Sequence, residues 1–170
     1  MAEANQAIIA ASQEQPHNSR MGTTAVMALE RQGRVFVASL GDSRAYLVRG
    51  DEVHLLTIDH SVAQELVNHG VLSESEAKHS PLQHVLYRFL GCTQMDERTD
   101  VVQFAPEPGD LLLLASDGLT NYIDENDLRR IRHCPDPQNG CEQLVQLSLD
   151  RGSSDNVTCI LVAFEAKDDE

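Results

Sequence analysis

The sequence has no tryptophan, and aromatic side chains make up only 4% of its 170 residues, so any core it builds must be aliphatic. Basic residues are scarce too: 13 Lys and Arg stand against 27 Asp and Glu, a formal charge of −14. Repulsion from phosphates then argues against a nucleic-acid partner, since no basic patch gathers anywhere along the chain. No apolar run approaches the roughly 18 residues that a membrane span needs, and the first residues lack the basic-then-apolar pattern of a secretory leader. A cytoplasmic protein with no membrane partner is the expectation. Cys92, Cys134, Cys141 and Cys159 contain no Cys-x-x-Cys pair and no accompanying histidine pattern, which argues against a zinc site or a disulfide framework. Reduced thiols, packed singly, are expected.

What is present is a hydrophobic content of 41% in a length that fits one domain, 1–170, large enough to bury a substantial core. The most informative stretch is Leu111-Leu-Leu-Leu-Ala-Ser-Asp-Gly-Leu119. A short apolar run between Pro-Gly-Asp and Asp-Gly reads as a strand covered on both faces, which delivers Asp117 where the strand leaves the core. An ionised Asp at such a rim costs several kcal/mol, on the order of a buried charge, unless an amide cluster, an Arg or a metal ion compensates. Two other stretches share this grammar. Val35-Phe-Val-Ala-Ser-Leu-Gly-Asp42 ends an apolar strand on an acid, and Asp155 stands just before the strand Val157-Thr-Cys-Ile-Leu-Val162. Three carboxylates at strand ends, each flanked by Gly or Ser, can converge on one edge of a sheet.

The remaining elements follow from period and punctuation. Ala2 to Ser12 has Ala4, Ile8 and Ala11 at helical spacing. The polar run to Arg20 reads as a loop. Thr23–Leu29, Val35–Leu40, Ala45–Val48 and Glu52–Leu56, parted by Gln32-Gly33 and Gly50-Asp51, predict an antiparallel meander. Ser61 to His69 turns helical, with Val62, Leu66 and Val67 as its buried stripe, and Gly70 stops it. Ser73–Ala77 is a second short helix, and Lys78 to Gln94 reads as an irregular, mobile insert. Strands over Thr99–Phe104 and Val157–Phe164 and helices over Asp124–His133 and Gly140–Arg151 complete an α+β pattern, the last helix presenting Leu144, Leu147 and Leu149 or Val145. The acidic end, Asp168-Asp169-Glu170, reads as a solvated terminus.

At Gly22-Thr-Thr-Ala25, Gly41-Asp-Ser-Arg-Ala-Tyr46, Ser116-Asp-Gly-Leu119 and Ser154-Asp-Asn-Val157, joined by Leu56-Thr-Ile-Asp-His-Ser61 and Arg88-Phe-Leu-Gly91, the chain resembles the metal-dependent serine/threonine protein phosphatases of the PP2C type, bacterial branch. Single words of this size arise by chance, whereas four in order and at this spacing do not. The resemblance implies a β-sandwich flanked by helices in α-β-β-α layers, Mn²⁺ or Mg²⁺ as cofactor, and phosphoserine and phosphothreonine proteins as substrates. By motif, Asp117 and Asp155 resemble ligands of the principal metal site, Asp42 a ligand of the additional metal of bacterial members, and residues 61–91 the flap beside substrate. The family's opening Arg, its acidic pair and its Asp-Gly motif, whose Asp bridges two metals, have no counterpart here. The expectation is therefore a domain lacking its N-terminal part, weak or inactive in isolation, with self-association through an exposed sheet edge.

Carboxylate oxygens without organised His or Cys favour the same hard ions. The plainer readings are that Asp117 is a turn residue before Gly118, that Asp155 caps a turn, that Asp42 pairs with Arg44, and that His60 is a surface cap beside Asp59. Two functions from different classes remain: a phosphatase, and a non-catalytic module that binds a phosphoprotein without turnover.

Overall fold

The computed structural model describes residues 1–14, 21–93, 100–134 and 136–166. Their contacts fall into two compact units: one of Met1–Ala25, Ser39–Asp42 and Ile58–Asp100, the other of Val26–Ala38, Ser43–Thr57 and Val101–Glu170. The acidic end at 168–170, residues 15–20 of the expected loop and the expected strand start at 99 lie outside the described residues.

The second unit contains the sheets. Strands β1 (Ala25–Arg31), β2 (Arg34–Leu40) and β5 (Val101–Phe104) form one sheet in the order β1-β2-β5, and β3 (Arg44–Arg49), β4 (Glu52–Leu55), β6 (Leu111–Ala115) and β7 (Cys159–Ala163) form another in the order β4-β3-β6-β7. The tight turns expected between β1 and β2 and between β3 and β4 are present, with positive φ at Gln32, Gly33 and Gly50. The continuous meander is not. β2 pairs antiparallel with β5, whereas β3 pairs with β4 and β6, so consecutive strands lie in different sheets. The reason lies in burial: β3 and β6 carry apolar side chains on both faces, and such strands need the two central positions that only mutual pairing provides.

Alternation along β6 builds two cores. Leu112 and Leu114 pack with Ala45, Val35 and Val37 between the sheets. Leu113 and Ala115, on the opposite face, pack with Val48, Leu161 and a helical layer that supplies Leu128, Ile131 and Leu144. That layer is α5 (Glu125–Arg130) and α6 (Pro137–Asp150). The buried stripe of α6 is Gly140, Leu144 and Ser148, while Leu149 is 48% exposed. This corrects the leucine stripe. A Cβ at Gly140 would approach Leu161 Cδ2 to 2.8 Å, so a larger residue there would require that leucine side chain to shift. Two buried carboxylates lock this unit. Asp110 accepts from Arg49 Nε and Nη2 at 2.9 and 2.6 Å, and Asp127 accepts from Arg151 Nη1 and Nη2 at 2.5 and 3.0 Å while capping α5. All four cysteines are free thiols. They are not all packed singly: burial and the adjoining Cys141 push the Cys159 thiol up to about 12.

The first unit is mostly helical: α1 (Ala2–Glu14), α2 (Val62–Asn68) and α3 (Glu74–Ala77). The buried residue of α1 is not in the Ala4, Ile8, Ala11 set but is Asn5, whose amide donates to Cys92 O at 3.3 Å and accepts from Gly91 N at 2.6 Å. Ser61 caps α2 as expected, but Ala63 is its buried residue and Val62, Leu66 and Val67 are half-buried. Ser73 and Glu76 close a capping box on α3. The segment after it is more ordered than the irregular insert expected. A 3₁₀ turn covers Pro81–His84, Leu86 bridges to Ser61, and Leu90 bridges to Thr23.

Candidate functional site

In the second unit, β6 runs into Ser116, the N-cap of the one-turn helix α4 (Asp117–Thr120). The β6–β7 ladder, which ends at Ala115↔Cys159, is carried past the strands by Ser116. Its N–H donates to Thr158 O at 3.0 Å, and its hydroxyl accepts from Thr158 N at 3.1 Å and faces Asn156 O at 3.3 Å. Ser153 closes the other side by donating to Gly118 O at 2.8 Å. The loop of Asp155 is thereby laid along the turn of Asp117. Gly118 marks the closest approach: a Cβ there would overlap Asn156 O and stand 3.4 Å from Asp155 Cβ. Asp117 and Asp155 thus flank one backbone contact, the first half-buried, the second exposed with its Oδ1 accepting from Asn156 N at 2.7 Å. Loops 116–118 and 152–158 hold no thiol or imidazole, so their donor set is oxygen alone, which fits a hard divalent cation.

Asp42 belongs to the first unit and follows Gly41, whose φ is +98° and whose Cβ, were there one, would overlap the Thr24 methyl. His60 grips this turn from 19 positions away. His60 N–H donates to Gly41 O at 2.9 Å, and His60 Nδ1 accepts from Gly41 N–H at 3.1 Å. The other ring nitrogen stands 3.5 Å from Asp100 Oδ2 and 3.5 Å from Arg88 Nη1, with the Tyr87 ring edge-on at 5.9 Å. At 3% exposure His60 is not the surface cap expected from the sequence. Burial lowers its pKa below the ordinary imidazole value, outweighing the opposing pull of Asp100. The only trace of this role in the sequence was its place between the Asp59 and Ser61 of the family word. Thr23 and Thr24 stand just before β1 rather than in the expected strand: Thr23 Oγ1 donates to Thr24 O at 3.0 Å, and the Thr24 side chain fills the space beside Gly41.

An α+β fold of two antiparallel sheets, with acids at strand ends, defines a narrow class. The family model for protein phosphatase 2C matches residues 1–66. A serine/threonine phosphatase stp of Listeria innocua is 35% identical over 162 residues, 94% of this chain and 64% of the relative. Among solved structures, the Mycobacterium tuberculosis serine/threonine phosphatase PstP/Ppp superposes with a TM-score of 0.86 at 30% identity, over 95% of this chain and 68% of that one. The catalytic domain of PstP in complex with 2 manganese ions gives a TM-score of 0.80 at 29% identity, over 92% and 65%. The chain belongs to the protein phosphatase 2C family. It spans 64% of the length of the Listeria relative.

Proposed function

We propose that this chain binds Mn²⁺ or Mg²⁺ through Asp117 and Asp155, that Asp42 serves as a ligand of a further cation, and that the function served is hydrolysis of phosphoserine and phosphothreonine in cytoplasmic signalling proteins. The observation that carries the reading is the stitching of loop 152–158 to turn 116–118, which lays the backbone that bears Asp155 along the turn that bears Asp117. A bound hard cation supplies charge neutralisation at a phosphoryl group and a lowered pKa for its water. The chain's own contribution is placement. Ser116 and Ser153 fix the two loops through backbone atoms. The sequence offers three candidate ligands and no bridging Asp-Gly motif, so turnover by this chain alone is expected to be weak.

The reading is tested by melting curves in millimolar Mn²⁺ together with phosphate release from a phosphothreonine peptide, for the wild type and Asp117→Asn. Mn²⁺ at a hundred times its Kd stabilises a folded chain by about 2.7 kcal/mol, a shift of several degrees, and Asp117→Asn is expected to abolish most of it. An unchanged wild-type melting curve overturns the proposal. Mn²⁺ binding together with peptide binding, but with no phosphate release, favours the non-catalytic module.

A further inference from the structure

We infer that His60 is a positioning residue for Asp42: a buried imidazole that grips both backbone polar groups of Gly41 and so sets the direction in which the next residue's carboxylate leaves the turn. The inference rests on the reading of Asp42 as a cation ligand. The geometry is one-sided in an informative way. Most buried histidines are satisfied by bonds from their ring alone. Here the backbone N–H and the ring Nδ1 of His60 act on the C=O and N–H of Gly41, making two bonds between residues 19 positions apart. Gly41 needs such a clamp. Its φ of +98° is open to glycine, which is also the residue with the most freedom to leave it, and the Thr24 methyl occupies the space a side chain would fill.

Because Nδ1 accepts, the ring proton belongs on Nε2, facing the Asp100 carboxylate at 3.5 Å. His60 O also accepts from Tyr87 N at 3.0 Å, and Ser61 bridges to Leu86, so the backbone that carries the imidazole is tied at His60 itself and at the residue after it. A ligand-bearing turn fixed in this way meets a cation with little left to order. Supporting groups behind metal ligands typically account for 10- to 100-fold in affinity.

Two substitutions separate this role from mere filling of space. Asn places its Oδ1 where Nδ1 stood, keeping the acceptor for Gly41 N–H but losing the reach to Asp100. Gln is nearer to His in volume and reaches towards Asp100, but offers nothing at the Nδ1 position. Mn²⁺ affinity by calorimetry and hydrogen exchange of the Gly41 amide without metal are measured for the wild type, His60→Asn, His60→Gln and Asp42→Asn. Expected is an Mn²⁺ affinity within about threefold of wild type for His60→Asn and about tenfold weaker for His60→Gln, with faster Gly41 exchange only in the latter. Equal behaviour of the two variants, or better retention by Gln, overturns the inference. Asp42→Asn keeps the two readings apart. If it leaves Mn²⁺ affinity intact, the cation reading of Asp42 has failed and the positioning role fails with it. If it weakens binding while His60→Gln does not, only the positioning role has failed.

Discussion

The chain holds an aspartate beyond a strand end in two different ways. At Asp117 the support is distributed: a ladder between β6 and β7 runs on through Ser116, and several backbone and hydroxyl bonds share the task. At Asp42 one buried histidine grips both backbone polar groups of the preceding glycine. Distributed support tolerates the loss of any single bond but not a change in backbone spacing. A grip made by one side chain tolerates little change there.

The largest expected effect comes from changing the spacing itself. Gly118→Ala puts a methyl group into Asn156 O, and because that obstacle is a backbone atom of a loop bonded to Ser116 it cannot swing away as a side chain would. Destabilisation of about 2–4 kcal/mol and loss of the Mn²⁺-dependent melting shift are the expected outcomes, read by thermal denaturation with and without metal. Gly41→Ala meets the methyl and Cβ of Thr24 rather than a backbone oxygen and adds a positive φ, and its cost is expected at about 2 kcal/mol. If Gly118→Ala proved the milder of the two, the loop of Asp155 would not be rigidly held, and the distinction between the two supports would fail.

A second test concerns acid. Burial pushes the Asp127 carboxyl up, but hydrogen bonds from Arg151 and from Asp124 N–H, with the nearby guanidinium charges, outweigh it and hold the pKa below the ordinary carboxylate value. Asp110 is held low in the same way against its own burial, by Arg49 and by Glu107 N–H. Groups depressed in the folded state bind protons more readily when unfolded. Their stabilisation is therefore complete above the unfolded pKa of about 4 and is lost as pH falls below it. The contribution of these two pairs to stability is expected to be flat from pH 7 to about 5 and to fall towards pH 3. Asp127→Asn is expected to cost about 3 kcal/mol at pH 7, since it leaves a guanidinium and a buried amide mismatched, and to flatten the acid limb in urea denaturation. An acid limb as steep as that of the wild type would show that this pair does not govern it.

The strand positions were legible because period and turn chemistry are local. Leu111–Ala115, Arg34–Leu40 and the Gly33 and Gly50 turns all follow from residues within reach of one another. The sheet assignment of β2 and β3 was not legible, because a chain that turns at Gly41 reads the same whether it returns to its own sheet or enters another. The stripe of α6 was misread because Gly140 and Ser148 bury as well as leucine does where backbones come close. The burial of Asn5 and of His60 was not legible because a polar residue is buried only when a distant partner satisfies it, and no local pattern announces Cys92 O or Gly41 N–H. Asp117 and Asp155 stood out through motif rather than physics, since Asp-Gly alone describes a turn equally well.

The smallest effect is also the most discriminating. Ser116→Ala removes the hydroxyl that accepts from Thr158 N and faces Asn156 O, but leaves the Ser116 N–H bond to Thr158 O in place. One bond of a shared set is lost, and Thr158 N, which is near solvent, can turn to water. A cost of about 1 kcal/mol is expected, with Mn²⁺ affinity reduced less than by His60→Gln in the other unit. Were Ser116→Ala to weaken Mn²⁺ binding more than His60→Gln does, the rim of Asp117 would hang on a single hydroxyl, and its support would not be distributed.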